Sequence, residues 1–136
     1  MRLELDCYAV WLRHLYYIEK FGENKHPKTI AELGPGDSLG VGLAALISGS
    51  DAYYALDIIS HTNVDKNLEI YNRLLALFKN KEPIPDNIEF PQLKPEVEDY
   101  NFPVPHYDWN FLLNEQRIAN IRQAIRNGNA GGITIK

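Results

Sequence analysis

Apolar positions recur at helical spacing near the start of the chain, with Tyr8, Trp11, Leu12, Leu15 and Ile18 on one stripe, Asp6 ahead of them as an N-cap, and Phe21 and Gly22 closing the segment. This predicts a helix over residues 6–21. Its aromatic stripe reads as packing against a sheet edge, and the sharper alternative is a lid in which Tyr8, Trp11 and His14 reach a pocket. Residues 22–27 are polar and rich in turn formers, hence a loop. Ile30 and Leu33 then flank Glu32 in a short apolar run that predicts a strand, Gly34 and Gly36 turn the chain, and Ser38 caps a helix over 38–48. That helix is apolar almost all round, through Leu39, Val41, Leu43, Ala44, Leu46 and Ile47, which predicts burial against a sheet. Gly40 and Gly42 each weaken a helix by roughly 1 kcal/mol. They are explained if the helix must approach a strand closely. Gly49 ends the helix, and residues 52–56 form a second strand that delivers Asp57 to its carboxyl end. Strand, helix and strand make a βαβ unit with the two strands side by side and parallel.

The next helix starts at an Asn63 cap and carries a regular stripe of Val64, Leu68, Tyr71, Leu75 and Phe78, with Asp65, Lys66, Glu69 and Arg73 on the solvent side. The βαβ core therefore spans residues 28–79. From 81 to 110 the texture changes: Pro83, Pro85, Pro91, Pro95, Pro103 and Pro105 punctuate an acidic stretch that tolerates neither helix nor central strand. Phe90, Tyr100, Phe102, Tyr107 and Trp109 can anchor this insertion, either in contact with a substrate or in plain surface packing. A last helix over 114–127 has Asn114 as N-cap, Leu113 and Ile118 as a hydrophobic staple, Ile118, Ile121 and Ile125 as its buried face, and Gly128 as its stop. Its arginines, Arg117, Arg122 and Arg126, read as a solvated face without a site role. Residues 127–132 read as flexible, and 133–136 begin an apolar β-branched run that ends inside a strand.

Composition narrows the class. At 136 residues the chain has room for a single domain with one core, and 45% hydrophobic against 24% charged residues is the balance of a globular chain. A formal net charge of -4 and a pI near 5.5 give no overall pull toward nucleic acid or an anionic membrane. Cys7 is the sole cysteine, which excludes an intrachain disulfide and a cysteine-rich zinc site and fits a reducing, cytoplasmic setting. No segment has the roughly 20 apolar residues of a membrane span. His61, like His14, His26 and His106, has no paired His or carboxylate at ligand spacing, so no metal site is expected.

The chemistry concentrates in the turn from 29 to 42. Glycines there allow positive φ and close approach of a ligand, and the helix that follows presents N–H groups to it. A P-loop needs Lys and Ser or Thr after its last glycine, whereas Gly40 and Gly42 are followed by apolar residues. The dinucleotide fingerprint would place a glycine where Leu39 stands. Asp37 puts a carboxylate at the helix start and disfavours a second anion, which favours a ligand with a cationic or zwitterionic centre.

The stretch Ala31-Glu32-Leu33-Gly34-Pro35-Gly36-Asp37-Ser38-Leu39-Gly40 resembles the first motif of the class I S-adenosylmethionine-dependent methyltransferases, an acidic residue followed by G-x-G-x-x-x-G. Asp57, 21 residues beyond Gly36, stands where that family has the acidic residue that accepts both ribose hydroxyls. By this resemblance Glu32 acts near the methionine amine, Gly34 and Gly36 lie under the methionine and ribose, and Ile58 packs on the adenine. The implied fold is α/β, a three-layer Rossmann-like parallel sheet of which only strands one and two and the start of three are present, with flanking helices. The family's sheet has seven strands in the order 3-2-1-4-5-7-6, so the fourth strand and the loop that often supplies catalytic residues are absent, and no catalytic residue is identified.

The implied function is the S-adenosylmethionine-binding portion of a methyltransferase with an unknown acceptor. The alternative is a non-catalytic remnant or interaction domain that keeps the nucleotide-binding turn. Without a fourth strand the first becomes an edge beside an apolar surface, so self-association or a completing polypeptide is expected.

Overall fold

The computed structural model describes residues 3–22, 26–35, 38–56, 63–86, 88 and 90–136. In chain order the elements are α1 (Leu3–Phe21), β1 (Thr29–Leu33), α2 (Gly40–Ile47), β2 (Ala52–Leu56), α3 (Val64–Lys79), α4 (Trp109–Leu112), α5 (Glu115–Asn127), β3 (Asn129–Ala130) and β4 (Ile133–Ile135). The strands form one mixed sheet in the order β1-β2-β4-β3. β1 and β2 are parallel in the register Ile30↔Tyr53 and Glu32↔Ala55, β4 runs parallel to β2 on its other side, and β3 pairs antiparallel with β4.

The β1–α2–β2 unit matches the sequence reading. The run 133–136 is a strand that pairs with β2. Residues 127–132 are not the flexible stretch expected. Gly131 and Gly132, at φ 54° and 89°, close a two-residue hairpin between β3 and β4. Positive φ at both positions is what a tight turn of matching twist requires, and glycine adopts it without strain.

The helices cover one face of the sheet. Tyr53 and Ile133 are buried on that face, while Thr29, Ala31, Leu33 and Leu56 on the opposite face are exposed, Leu33 at 83% and Leu56 at 51%. Among the described residues the three layers expected from the resemblance are therefore two, because the chain supplies helices to only one side of its strands. The helix α1 starts by Leu3, so Asp6 lies within its first turn beside Glu4, where carboxylates favour the helix dipole, and is not the cap. The α1 stripe packs mainly on α2 and α3, not on a sheet edge. Trp11 donates to Ser48 Oγ at 2.8 Å, Leu12 and Leu15 are fully buried, and His14 is exposed.

Caps set the remaining boundaries. Asn63 accepts from the Lys66 N–H at 3.0 Å and Asn114 from the Arg117 N–H at 2.8 Å, and Gly128 ends α5 at φ 91°. The helix α4 has its own cap, Asp108, which accepts from the Phe111 N–H at 3.1 Å. Arg117 departs from the solvated face expected of it. Its side chain is only 10% exposed, its Nη2 donates to the carbonyls of Leu46 and Ser50 at 2.9 and 2.8 Å, and its Nη1 lies 3.3 Å from Asp51. A guanidinium here satisfies carbonyls at the negative end of α2. Arg122 bonds to Asn72, and Arg126 is exposed.

The proline-rich insertion is a strap bound to α1 and α3. Tyr8 donates to the Glu82 carbonyl at 2.5 Å, the buried Arg13 to that of Pro85 at 2.8 Å, and Tyr17 to that of Glu96. Phe78 of α3 meets the rings of Phe102 and Trp109, whose Nε1 donates to the Val104 carbonyl at 2.9 Å. Tyr100, Phe102, Tyr107 and Trp109 of this segment thus pack on the core.

His26 sits behind the strap. Its Nδ1 lies 3.3 Å from the Tyr107 hydroxyl, which donates to Glu19 at 2.5 Å, and its buried Nε2 has no hydrogen-bond partner among the described residues. Burial, with a smaller push from Lys28, lowers its pKa to about 4. The unfolded chain takes up this proton near pH 6.5 and the native chain does not, so His26 contributes stability that is present above about pH 6.5 and lost as pH falls toward 4. Urea midpoints compared at about pH 7 and about pH 4.5 are expected to fall less in His26→Gln than in the natural sequence.

Candidate functional site

The parallel pair β1–β2 brings its carboxyl ends together at the glycine turn. The Gly34 N–H donates to the Leu56 carbonyl at 2.7 Å, which ties the first residue after β1 to the last residue of β2. Gly34 is at φ +62°, and a Cβ built there would meet nothing within 4 Å. The glycine is therefore required by backbone conformation, with open space above it. Of the residues singled out by the motif, Glu32 and Gly34 are placed here. Gly36, Asp37, Asp57, Ile58 and His61 lie outside the described residues.

Side chains alternate along β1, so Ile30 and Glu32 point toward the helices. Glu32 is half-buried and accepts a hydrogen bond from the Tyr53 hydroxyl at 2.5 Å. Among the described residues no basic side chain pairs with it. The Tyr53 phenol is raised well above its ordinary pKa by burial first and by the Glu32 carboxylate second, so it stays a donor. Close packing below this pair depends on the two helix glycines. A Cβ on Gly42 would stand 2.2 Å from Tyr53 ring atoms, so this glycine does let α2 approach a strand. A Cβ on Gly40 would stand 2.2 Å from Cys7 Sγ, so Gly40 instead admits the neighbouring helix α1. Burial pushes the Cys7 thiol up to about 11 despite its hydrogen bond with Ser38, which disfavours the thiolate.

The start of α2 differs from the row of free donors expected. Ser38 does serve it, its Oγ accepting from the Gly40 N–H at 3.1 Å, but the helix begins two residues later than Ser38 and the Leu39 N–H goes to Oδ1 of the buried Asn67 at 3.1 Å. Two donors near the helix start are thus satisfied within the protein. Asn67 and Tyr53 were beyond sequence reasoning. Asn67 looks like a polar position in a helix, and Tyr53 like one strand aromatic among two; the signal for Tyr53 was a glycine in an otherwise apolar helix facing it.

Outside this cluster runs a groove of about 710 Å³ between α1 and the free edge of β1, lined by Trp11, His14, Ile18, Ile30, Glu32 and Val41. Glu32 is the carboxylate on its wall. Among the described residues the arrangement offers a carboxylate acceptor without a counter-cation beside a positive-φ glycine and an apolar surface, which suits a ligand with an ammonium group and an apolar body. Among the described residues no group of three or more His, Cys, Asp or Glu is placed to hold a metal, and no helix is long and apolar enough to cross a membrane. The chain matches no protein-family model, no curated protein and no solved structure.

Proposed function

We propose that the chain is the S-adenosylmethionine-binding portion of a methyltransferase, with a Rossmann-like half-sheet, working in the cytoplasm on an unidentified acceptor. The observation that carries this reading is the glycine turn itself: Gly34 at φ +62° joins the carboxyl ends of two parallel strands and has Glu32, a carboxylate without a basic partner among the described residues, just before it. The adjacency of β1, β2 and β4, all parallel, supports it, since in this reading they would stand for strands one, two and three of the family order. Glu32 suits the ligand's ammonium, and Gly34 leaves room for the backbone to pass beneath the methionine. Asp57 would hold the ribose hydroxyls and Ile58 the adenine, by resemblance alone. When bound, S-adenosylmethionine supplies a methyl group activated on a sulfonium; transfer then depends on in-line positioning of the acceptor.

A second reading, a non-catalytic interaction domain that keeps the turn, is favoured by the internal capture of the Leu39 and Gly40 donors and by the edge of β1, unpaired among the described residues. Calorimetric titration with S-adenosylhomocysteine separates the two. Asp57→Ala is expected to weaken binding by about 100-fold, the worth of two charge-assisted hydrogen bonds, and Gly36→Val to remove it. Equal heats from the natural chain and both variants would leave the second reading standing.

A further inference from the structure

Tyr53 is fully buried on the helical face of the sheet, yet its hydroxyl reaches the groove wall by donating to Glu32 Oε1 at 2.5 Å. In the strand register it stands opposite Ile30, so its ring leans along β1 by two residues to make that bond. It can do so because Gly42 has no side chain where the ring passes. The hydroxyl occupies one carboxylate oxygen of Glu32 and leaves the other, together with the negative charge, for the groove. A carboxylate free to rotate would lose orientation on binding; one already held by a phenol does not.

We propose that Tyr53 is a positioning residue: it orients Glu32 toward the ammonium group of an amino-acid-bearing nucleoside and so makes the site select such ligands over the same nucleoside without the amino acid. This rests on the S-adenosylmethionine reading above. The selectivity follows from charge. Glu32 has no basic partner among the described residues, so a neutral ligand gains nothing from it, whereas an ammonium forms a charge-assisted hydrogen bond. Tyr53→Phe removes a single oxygen and leaves the ring under Gly42, which separates the hydroxyl's role from its packing.

The test is titration of the 136-residue chain with S-adenosylhomocysteine and with 5′-methylthioadenosine, using Tyr53→Phe, Glu32→Gln and the double variant. Tyr53→Phe is expected to weaken S-adenosylhomocysteine binding about tenfold and to change 5′-methylthioadenosine binding less than about twofold. Because Tyr53 acts through Glu32, the double variant is expected to bind no more weakly than Glu32→Gln alone. Equal weakening of both ligands, an unchanged affinity in Tyr53→Phe, or losses that multiply in the double variant would overturn the proposal. Failure of the natural chain to bind S-adenosylhomocysteine would overturn it together with the reading on which it rests.

Discussion

Gly42→Val is expected to lower the stability of the chain by about 3 kcal/mol and to abolish ligand binding with it. The first Cβ atom alone would stand 2.2 Å from Cε2 and Cζ of Tyr53, a ring with no exposed surface through which to escape. Either the ring leaves its place beneath the sheet, and Glu32 loses its hydrogen-bond donor, or α2 withdraws from β2 and opens the core at Leu43 and Leu46. The gain in helix propensity on replacing glycine, under 1 kcal/mol, is too small to offset this. The urea midpoint measures the loss. A midpoint equal to that of the natural chain would mean that α2 and β2 do not pack as described.

Self-association at the β1 edge is the second large effect expected. The bonds from Gly34 N to Leu56 O and from Asp51 and Ala52 N to Lys28 O fix the alternation, so the peptide groups of Thr29, Ala31 and Leu33 face away from β2. This edge is flanked by the groove on one face and by Leu33, 83% exposed, on the other, with Phe21 at 68% on the adjoining helix. A parallel edge that no described strand pairs with, with apolar surface on both sides, is a template for another strand. Sedimentation velocity is expected to show a weight-average coefficient that rises with concentration, and Leu33→Lys, which places a charge on the edge, is expected to suppress most of the rise. A single monomeric boundary at every concentration, with cooperative unfolding, would argue against both self-association and the need for a completing polypeptide.

Much of this fold was readable where one local signal determined one local outcome. Asn63 and Asn114 announced their helices because a side-chain oxygen satisfies a backbone donor three residues on, and Gly128 announced a stop because it takes positive φ. The β1–α2–β2 unit was readable because short apolar runs on either side of an apolar helix leave few topologies. The hairpin at Gly131 and Gly132 was missed because its strands are two and three residues long, too short to display alternation. What depended on contact across the chain was not legible at all. Nothing near Arg117 says that its guanidinium will reach carbonyls at residues 46 and 50, and nothing near Gly40 says that its missing side chain makes room for Cys7. That the described helices form a single layer was illegible for the same reason, since a strand's pattern shows which residues face a partner only when the partner is known.

The candidate site divides along that line. Glu32 and Gly34 were marked by spacing, and the structure places both at the carboxyl end of β1. The Tyr53 hydroxyl that holds Glu32 comes from the neighbouring strand and was marked by nothing local.

In the proposed function the turn around Gly34 receives the amino-acid end of S-adenosylmethionine. Amide chemical shifts of the isotopically labelled 136-residue chain, followed during titration with S-adenosylhomocysteine, test it most directly. Saturable shifts centred on Glu32, Gly34 and Tyr53 are expected, with the β3–β4 hairpin unmoved. Shifts confined to residues away from the carboxyl ends of β1 and β2, or none at all, would contradict it.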